Sequence, residues 1–228
     1  MITEKITSGQ RKTLLRLLED AVDTSGLTKD QTTEILKVGN LVQADLKVSF
    51  GKYSIADKRF GPAIREFEFT VPSDYNHDTQ LDTFAEKTKS LETTYYFNDD
   101  LTSANFAKAT NKLVPGKTYK VKMFPVLERV TSEDCIDFLA KQGALLVGGQ
   151  GVTLLQDNKA DEFPVGKWVV SFDQKDALWI DSDGYHGVPG VGRRSDGDFG
   201  FDLGGFGRDW YDDDVILCFC DVPVDKQA

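Results

Sequence analysis

Between Phe172 and Asp214 the chain abandons the regular alternation of apolar and polar residues that a long helix or strand needs. These 43 residues hold eleven Asp and nine Gly, with Trp179, Tyr185, Phe199, Phe201, Phe206, Trp210 and Tyr211 scattered among them. No Glu follows Glu162 and no Asn follows Asn158, so the acidity is selective for the shorter carboxylate. Glycine frees the backbone and Asp bonds to its own main chain, so both belong in tight turns. Rigid aromatics among short polar residues also build recognition surfaces, where contact area comes with little loss of rotamer freedom. Composition alone leaves both readings open, a set of turns or a binding face.

Length and charge narrow the classes. The 228 residues suffice for one large domain or two small ones. A net charge of -10 and a pI near 4.7 count against nucleic-acid binding, which wants a basic stripe. Lys117, Lys120 and Lys122 have the spacing of a solvated strand face rather than a phosphate track. Three cysteines, Cys135, Cys218 and Cys220, are an odd number without metal-ligand spacing, which favours a reducing compartment over a disulfide framework. Cys218 and Cys220 stand two apart and share a strand face as small buried groups. The N-terminus shows no signal-peptide pattern and no apolar run approaches membrane-spanning length. A cytoplasmic or virion-associated protein without membrane insertion is expected.

The elements read as follows. Residues 8–21 carry an apolar stripe at helical spacing. A second helix starts at Thr28, with Gln31 at the spacing of a capping box, and runs toward Leu46. Arg65 to Val71 alternates as a strand with Phe67, Phe69 and Val71 on one face, residues 79–90 suit a helix, and Thr93 to Phe97 suits another strand. Leu113-Val114-Pro115-Gly116 reads as a turn and a domain boundary. Tyr119, Val121 and Met123 then alternate with lysines in a strand reaching Leu127. Thr131 caps the following helix, with Asp134 three residues on and Gly143 where a left-handed C-terminal residue belongs. Trp168 to Val170, Ala177 to Ile180 and Val215 to Val222 complete the strands, the last pairing antiparallel with the segment near Tyr119 to Leu127.

The short motifs carry little chemistry. Gly148-Gly149-Gln150-Gly151 lacks the Lys-Ser/Thr of a phosphate loop and reads as a turn. Asp181-Ser182-Asp183-Gly184 opens like a calcium loop, but the twelfth position is Gly192 rather than a bidentate Glu. His77 and His186 are the only histidines, and neither has a nearby Cys or His in sequence. Asp212-Asp213-Asp214 points its carboxylates in different directions. No catalytic residues, no cofactor and no catalytic metal are expected, and the chain is read as something other than an enzyme.

The order of parts in the second half does resemble a known scaffold. Strand, helix, glycine-ended turn, a Trp-containing strand (Trp168-Val169-Val170-Ser171), a long irregular stretch and a closing apolar strand (Val215 to Cys220) look like the C-type lectin fold. Trp210-Tyr211-Asp212 is similar to the Trp-Asn-Asp of calcium-dependent lectins, with Tyr in place of Asn, no Glu-Pro-Asn counterpart and no framework cysteines. The closer resemblance is to the formylglycine-generating-enzyme-like branch, which includes the variable proteins of diversity-generating retroelements. In that family adenine-directed mutagenesis rewrites chosen codons. Asn codons altered at their adenines give Asp, Gly, Ser, Tyr, His, Arg or Phe but never Glu, and residues 179–214 contain neither Glu nor Lys.

The resemblance implies an α+β protein, with residues 118–228 a C-type lectin-like ligand-binding domain behind an α/β N-terminal accessory region, residues 1–115. Its ligand would be a protein, held by a variable face. Aromatic anchors would be Trp179, Tyr185, Phe201, Phe206, Trp210 and Tyr211. Orienting polar groups would be Asp181, Asp183, His186, Arg193, Arg194, Asp196, Arg208 and Asp209. Leu178, Ile180, Leu203, Ile216 and Leu217 would hold the scaffold beneath them. Alternative readings are a formylglycine-generating-type enzyme, for which only the Cys218 and Cys220 pair speaks, and a calcium-dependent glycan-binding domain.

Overall fold

The structure is a computed structural model that describes residues 57–222. The two helices expected before residue 50 and the last six residues lie outside the described region. The chain divides between Ile55 and Ala56, and every described residue belongs to the second unit. The boundary expected near residue 115 is therefore corrected. Strands on both sides of it belong to one sheet, because the Phe69 and Val71 face needs the same core as Tyr119 and Val121.

That sheet is open and mixed, with eight strands. β1 (Arg65–Thr70) pairs antiparallel with β3 (Thr118–Pro125), and β3 pairs antiparallel with β8 (Asp214–Asp221). β8 runs parallel to β4 (Lys167–Val170), and β4 is antiparallel to β6 (His186–Arg193). β6 is antiparallel to β7 (Phe199–Gly205), and β7 is parallel to β2 (Thr94–Phe97) at the far edge. The two-residue β5 (Trp179–Ile180) adds to β6. The antiparallel pairing of the terminal strand with residues 119–125 is as the alternation predicted, in the register Tyr119 with Asp221 through Pro125 with Val215.

Alternation decides which side chains enter the core. On β3, Tyr119, Val121 and Met123 are buried, while Lys120 and Lys122 reach across to Glu66 of β1 at 2.5 and 3.8 Å. β8 lies between β3 and β4, and its residues 214–219 are all buried. Cys218 is buried and Cys220 half-buried, their sulfurs 3.4 Å apart on one face of that strand.

Three helices flank the sheet among the described residues. α1 (Gln80–Thr88) presents Phe84 to Phe201 of β7, with ring centroids 5.0 Å apart. α2 (Ser132–Lys141) starts with the predicted capping box: the Thr131 hydroxyl accepts from the Asp134 N–H while the Asp134 carboxylate accepts from Thr131. It ends at Gly143 with φ +70°, a conformation only glycine adopts cheaply. Its Phe138 stacks on Phe60 and meets the edge of Phe124.

α3 (Gly148–Lys159) corrects the turn expected at residues 148–151, because Gly-Gly-Gln-Gly opens a helix. The small residues let that helix press close to the sheet. A methyl at Gly149 would come within 3.3 Å of the Pro189 ring on β6 and 3.4 Å of Leu81 and Leu101. Gly is a poor helix former in isolation, at about 1 kcal/mol worse than Ala, and packing overrides it here. No helix among the described residues is long and apolar enough to cross a membrane.

Candidate functional site

Glycines in the strands set the geometry of the candidate site. β6 and β7 read His-Gly-Val-Pro-Gly-Val-Gly-Arg and Phe-Gly-Phe-Asp-Leu-Gly-Gly, with glycines where neighbouring strands offer large rings. Across the sheet, Trp168 aligns with Gly192 and Gly192 with Gly200, while Val170 aligns with Gly190 and Gly190 with Asp202. A methyl at Gly192 would sit 2.8 Å from the Trp168 ring, and one at Gly200 only 2.4 Å from the Tyr95 ring. Trp168 and Tyr95 therefore lie across a glycine floor from opposite sides. Trp210 does the same over Gly204, where a methyl would approach to 2.9 Å.

Two guanidinium groups stack on this surface. Arg194 lies 3.5 Å from the centre of the Tyr95 ring, and Arg208 lies 3.9 Å from that of Trp210. Arg208 also donates to the carboxylate of buried Asp214 at 2.7 Å, and the Tyr211 N–H reaches the same carboxylate at 3.0 Å. Burial pushes the Asp214 carboxyl above the usual carboxylate range, against the pull of those donors. Trp168, Trp210, Asp202, Arg208 and Asp214 border a cleft of about 230 Å³ over Gly190 and Gly204.

A larger cleft of about 630 Å³ opens where the β5–β6 hairpin, the end of β7 and the loop after β2 meet. It brings together four of the candidates, Trp179, Asp181, Tyr185 and His186, with Asn98 and Asp100 from the far side of the sequence. The Asp181 carboxylate accepts the N–H groups of Asp183 and Tyr185 at 2.9 and 2.8 Å, and Gly184 takes φ +85°. The turn is thus held from within, and Tyr185 projects at 65% exposure. His186 is half-buried and its Nδ1 has no hydrogen-bond partner among the described residues.

The other candidates divide by burial. Asp183, Arg194, Asp196 and Tyr211 are exposed. Phe201, Phe206 and Trp210 are corrected from contact residues to core, at 0, 4 and 0% exposure. Phe201 faces Phe84 and Phe97 because the strand alternation turns it toward α1. Phe206 and Trp210 are tied down by Ser132, whose hydroxyl donates to the Phe206 carbonyl at 2.6 Å and accepts from the Trp210 indole at 2.8 Å. Ile180 is corrected in the opposite sense: it is 53% exposed rather than part of the scaffold.

Three charged candidates are engaged in structural contacts. Arg193 donates to the carbonyls of Asp161 and Phe163 at 3.3 and 3.1 Å, pinning the short turn before β4. Asp209 is ion-paired with Arg129. Asp196 accepts the Asp198 N–H at 3.1 Å in the β6–β7 turn, beside Gly197 at φ +98°. Asp181 and Asp196 both accept an N–H two residues ahead, a reach that suits Asp rather than the longer Glu.

Tyr95 and Trp168, which lie before residue 172, were missed by reading the irregular stretch alone. The signal for them was the glycine alternation in β6 and β7, which marks places where a ring lies flat on a sheet. Among the described residues no three His, Cys, Asp or Glu side chains group as metal ligands would. The arrangement supplies flat aromatic faces, stacked guanidiniums and carboxylates around two clefts, which are means of binding. No family model matches the chain, and neither a curated protein nor a solved structure matches it.

Proposed function

We propose that this protein binds a ligand, most plainly another protein, through a surface displayed on a C-type lectin-like scaffold, in the manner of the variable proteins of diversity-generating retroelements. The observation that carries the reading is the separation of frame from display within residues 179–214. Val188, Val191, Phe199, Phe201, Phe206 and Trp210 are buried, while Asp183, Tyr185, Arg194, Asp196 and Tyr211 stand exposed on the turns between them. A surface built that way changes its chemistry without changing its fold. The antiparallel pairing of β3 and β8 supports the scaffold, because it sets the opening strand of residues 118–228 beside the closing one.

The gene itself tests the retroelement reading. Sequencing around the coding region is expected to find a near-identical repeat and a reverse transcriptase gene. Differences between repeat and gene should fall at adenines of the repeat, in codons for exposed residues such as Tyr185, Arg194 and Tyr211. A locus without repeat or reverse transcriptase contradicts the assignment. Differences scattered over buried positions such as Val188 and Val191 contradict it too.

A further inference from the structure

The charge of the chain is concentrated where the clefts are. In residues 172–214 eleven aspartates face four cations, Lys175, Arg193, Arg194 and Arg208, leaving -7 of the total charge of -10 in 43 residues. Two of those cations are already engaged: Arg193 by backbone carbonyls and Arg208 by Asp214. The larger cleft has no Lys or Arg in its lining. Asp100 and Asp181 both border it, and among the described residues neither has a cationic partner. Beside them stand the rings of Trp179 and Tyr185.

We propose that this cleft receives a lysine or arginine side chain from a basic segment of a protein partner. The inference rests on the binding function proposed above and gives the partner its chemistry. The Asp100 and Asp181 carboxylates would hold the charge, and the aromatic faces would take the aliphatic stem and the cation's edge. At about 630 Å³ the space accommodates a basic residue together with its neighbours. Like-charge repulsion from the surrounding aspartates would turn acidic segments away, so the same field supplies selectivity as well as attraction.

The test is fluorescence anisotropy with a dye-labelled peptide of alternating arginine and glycine, compared with glutamate–glycine and serine–glycine peptides. The arginine peptide is expected to bind saturably with a dissociation constant below about 1 mM at low salt, weakening as salt rises. The variant Asp100→Asn with Asp181→Asn should weaken it by about tenfold or more. Asn at 181 retains an oxygen for the two turn N–H groups, and an unchanged thermal midpoint confirms folding. The variant Glu133→Gln with Asp137→Asn removes two exposed charges on α2 and should bind as the parent does.

Absence of saturable binding, equal binding of the serine peptide, or equal weakening in both double variants overturns the proposal. Such a result removes the basic partner but leaves the display surface standing, since that reading is tested by the gene's repeat and by tolerance to substitution.

Discussion

At the scale of single residues, glycines and short aspartates explain most of what makes residues 172–214 unusual. A glycine is required where a ring crosses the sheet, and Gly200 is the tightest such place, with the Tyr95 ring 2.4 Å from where a methyl would stand. Gly205, in the same strand, has nothing within 4 Å of that position. The two therefore separate steric need from composition. Gly200→Ala should cost about 1–3 kcal/mol by displacing Tyr95 and the Arg194 stacked upon it. Gly205→Ala should stay within about 0.5 kcal/mol of the parent. Urea unfolding of both variants checks this, and equal costs would mean that the Tyr95 ring does not rest on that floor.

At the scale of elements, α2 is fastened at its start by more than its capping box. Arg59 donates to Asp57 at 2.9 and 2.7 Å and meets Asp134 at 2.9 Å. The Arg59 hydrogen bonds hold the Asp57 carboxyl below its ordinary range. At Asp134 partial burial pushes upward, and Arg59 with Thr131 outweighs it, so this carboxyl is lowered as well. A carboxyl lowered on folding contributes stability above its unfolded value, about 3.9, and loses it as pH falls through the folded one. Arg59→Ala should therefore narrow the stability gap between pH 6 and pH 3, measured as the urea midpoint. A gap as wide as the parent's would show that Arg59 does not carry this acid sensitivity.

At the scale of the whole molecule, local periodicity made the frame legible and long-range packing hid the rest. The strands around Phe69, Tyr96 and Val121, the cap at Thr131 and the pairing of β3 with β8 all follow from spacing and turn chemistry. The helix at Gly148 was not legible, because its glycines answer to Pro189, Leu81 and Leu101 from three distant segments. Nor was the core role of Phe206 and Trp210, which depends on a hydroxyl 74 and 78 residues away. The acid-rich turns were legible as turns, and the cleft that joins Asp181 to Asn98 and Asp100 was not, since sequence does not say which loops meet.

The central claim is that exposed side chains on this surface are dispensable to the fold while the buried ones among them are not. The direct measurement is the thermal midpoint of two variants against the parent. Tyr185→Ser, Arg194→Ser and Tyr211→Ser combined should leave the midpoint within about 3 °C. Phe206→Ser alone should lower it by about 10 °C, because it empties a side-chain site that is only 4% exposed and that the Lys175 ammonium covers. A triple variant that unfolds as early as the Phe206 variant would contradict the account, because the display residues would then be part of the frame.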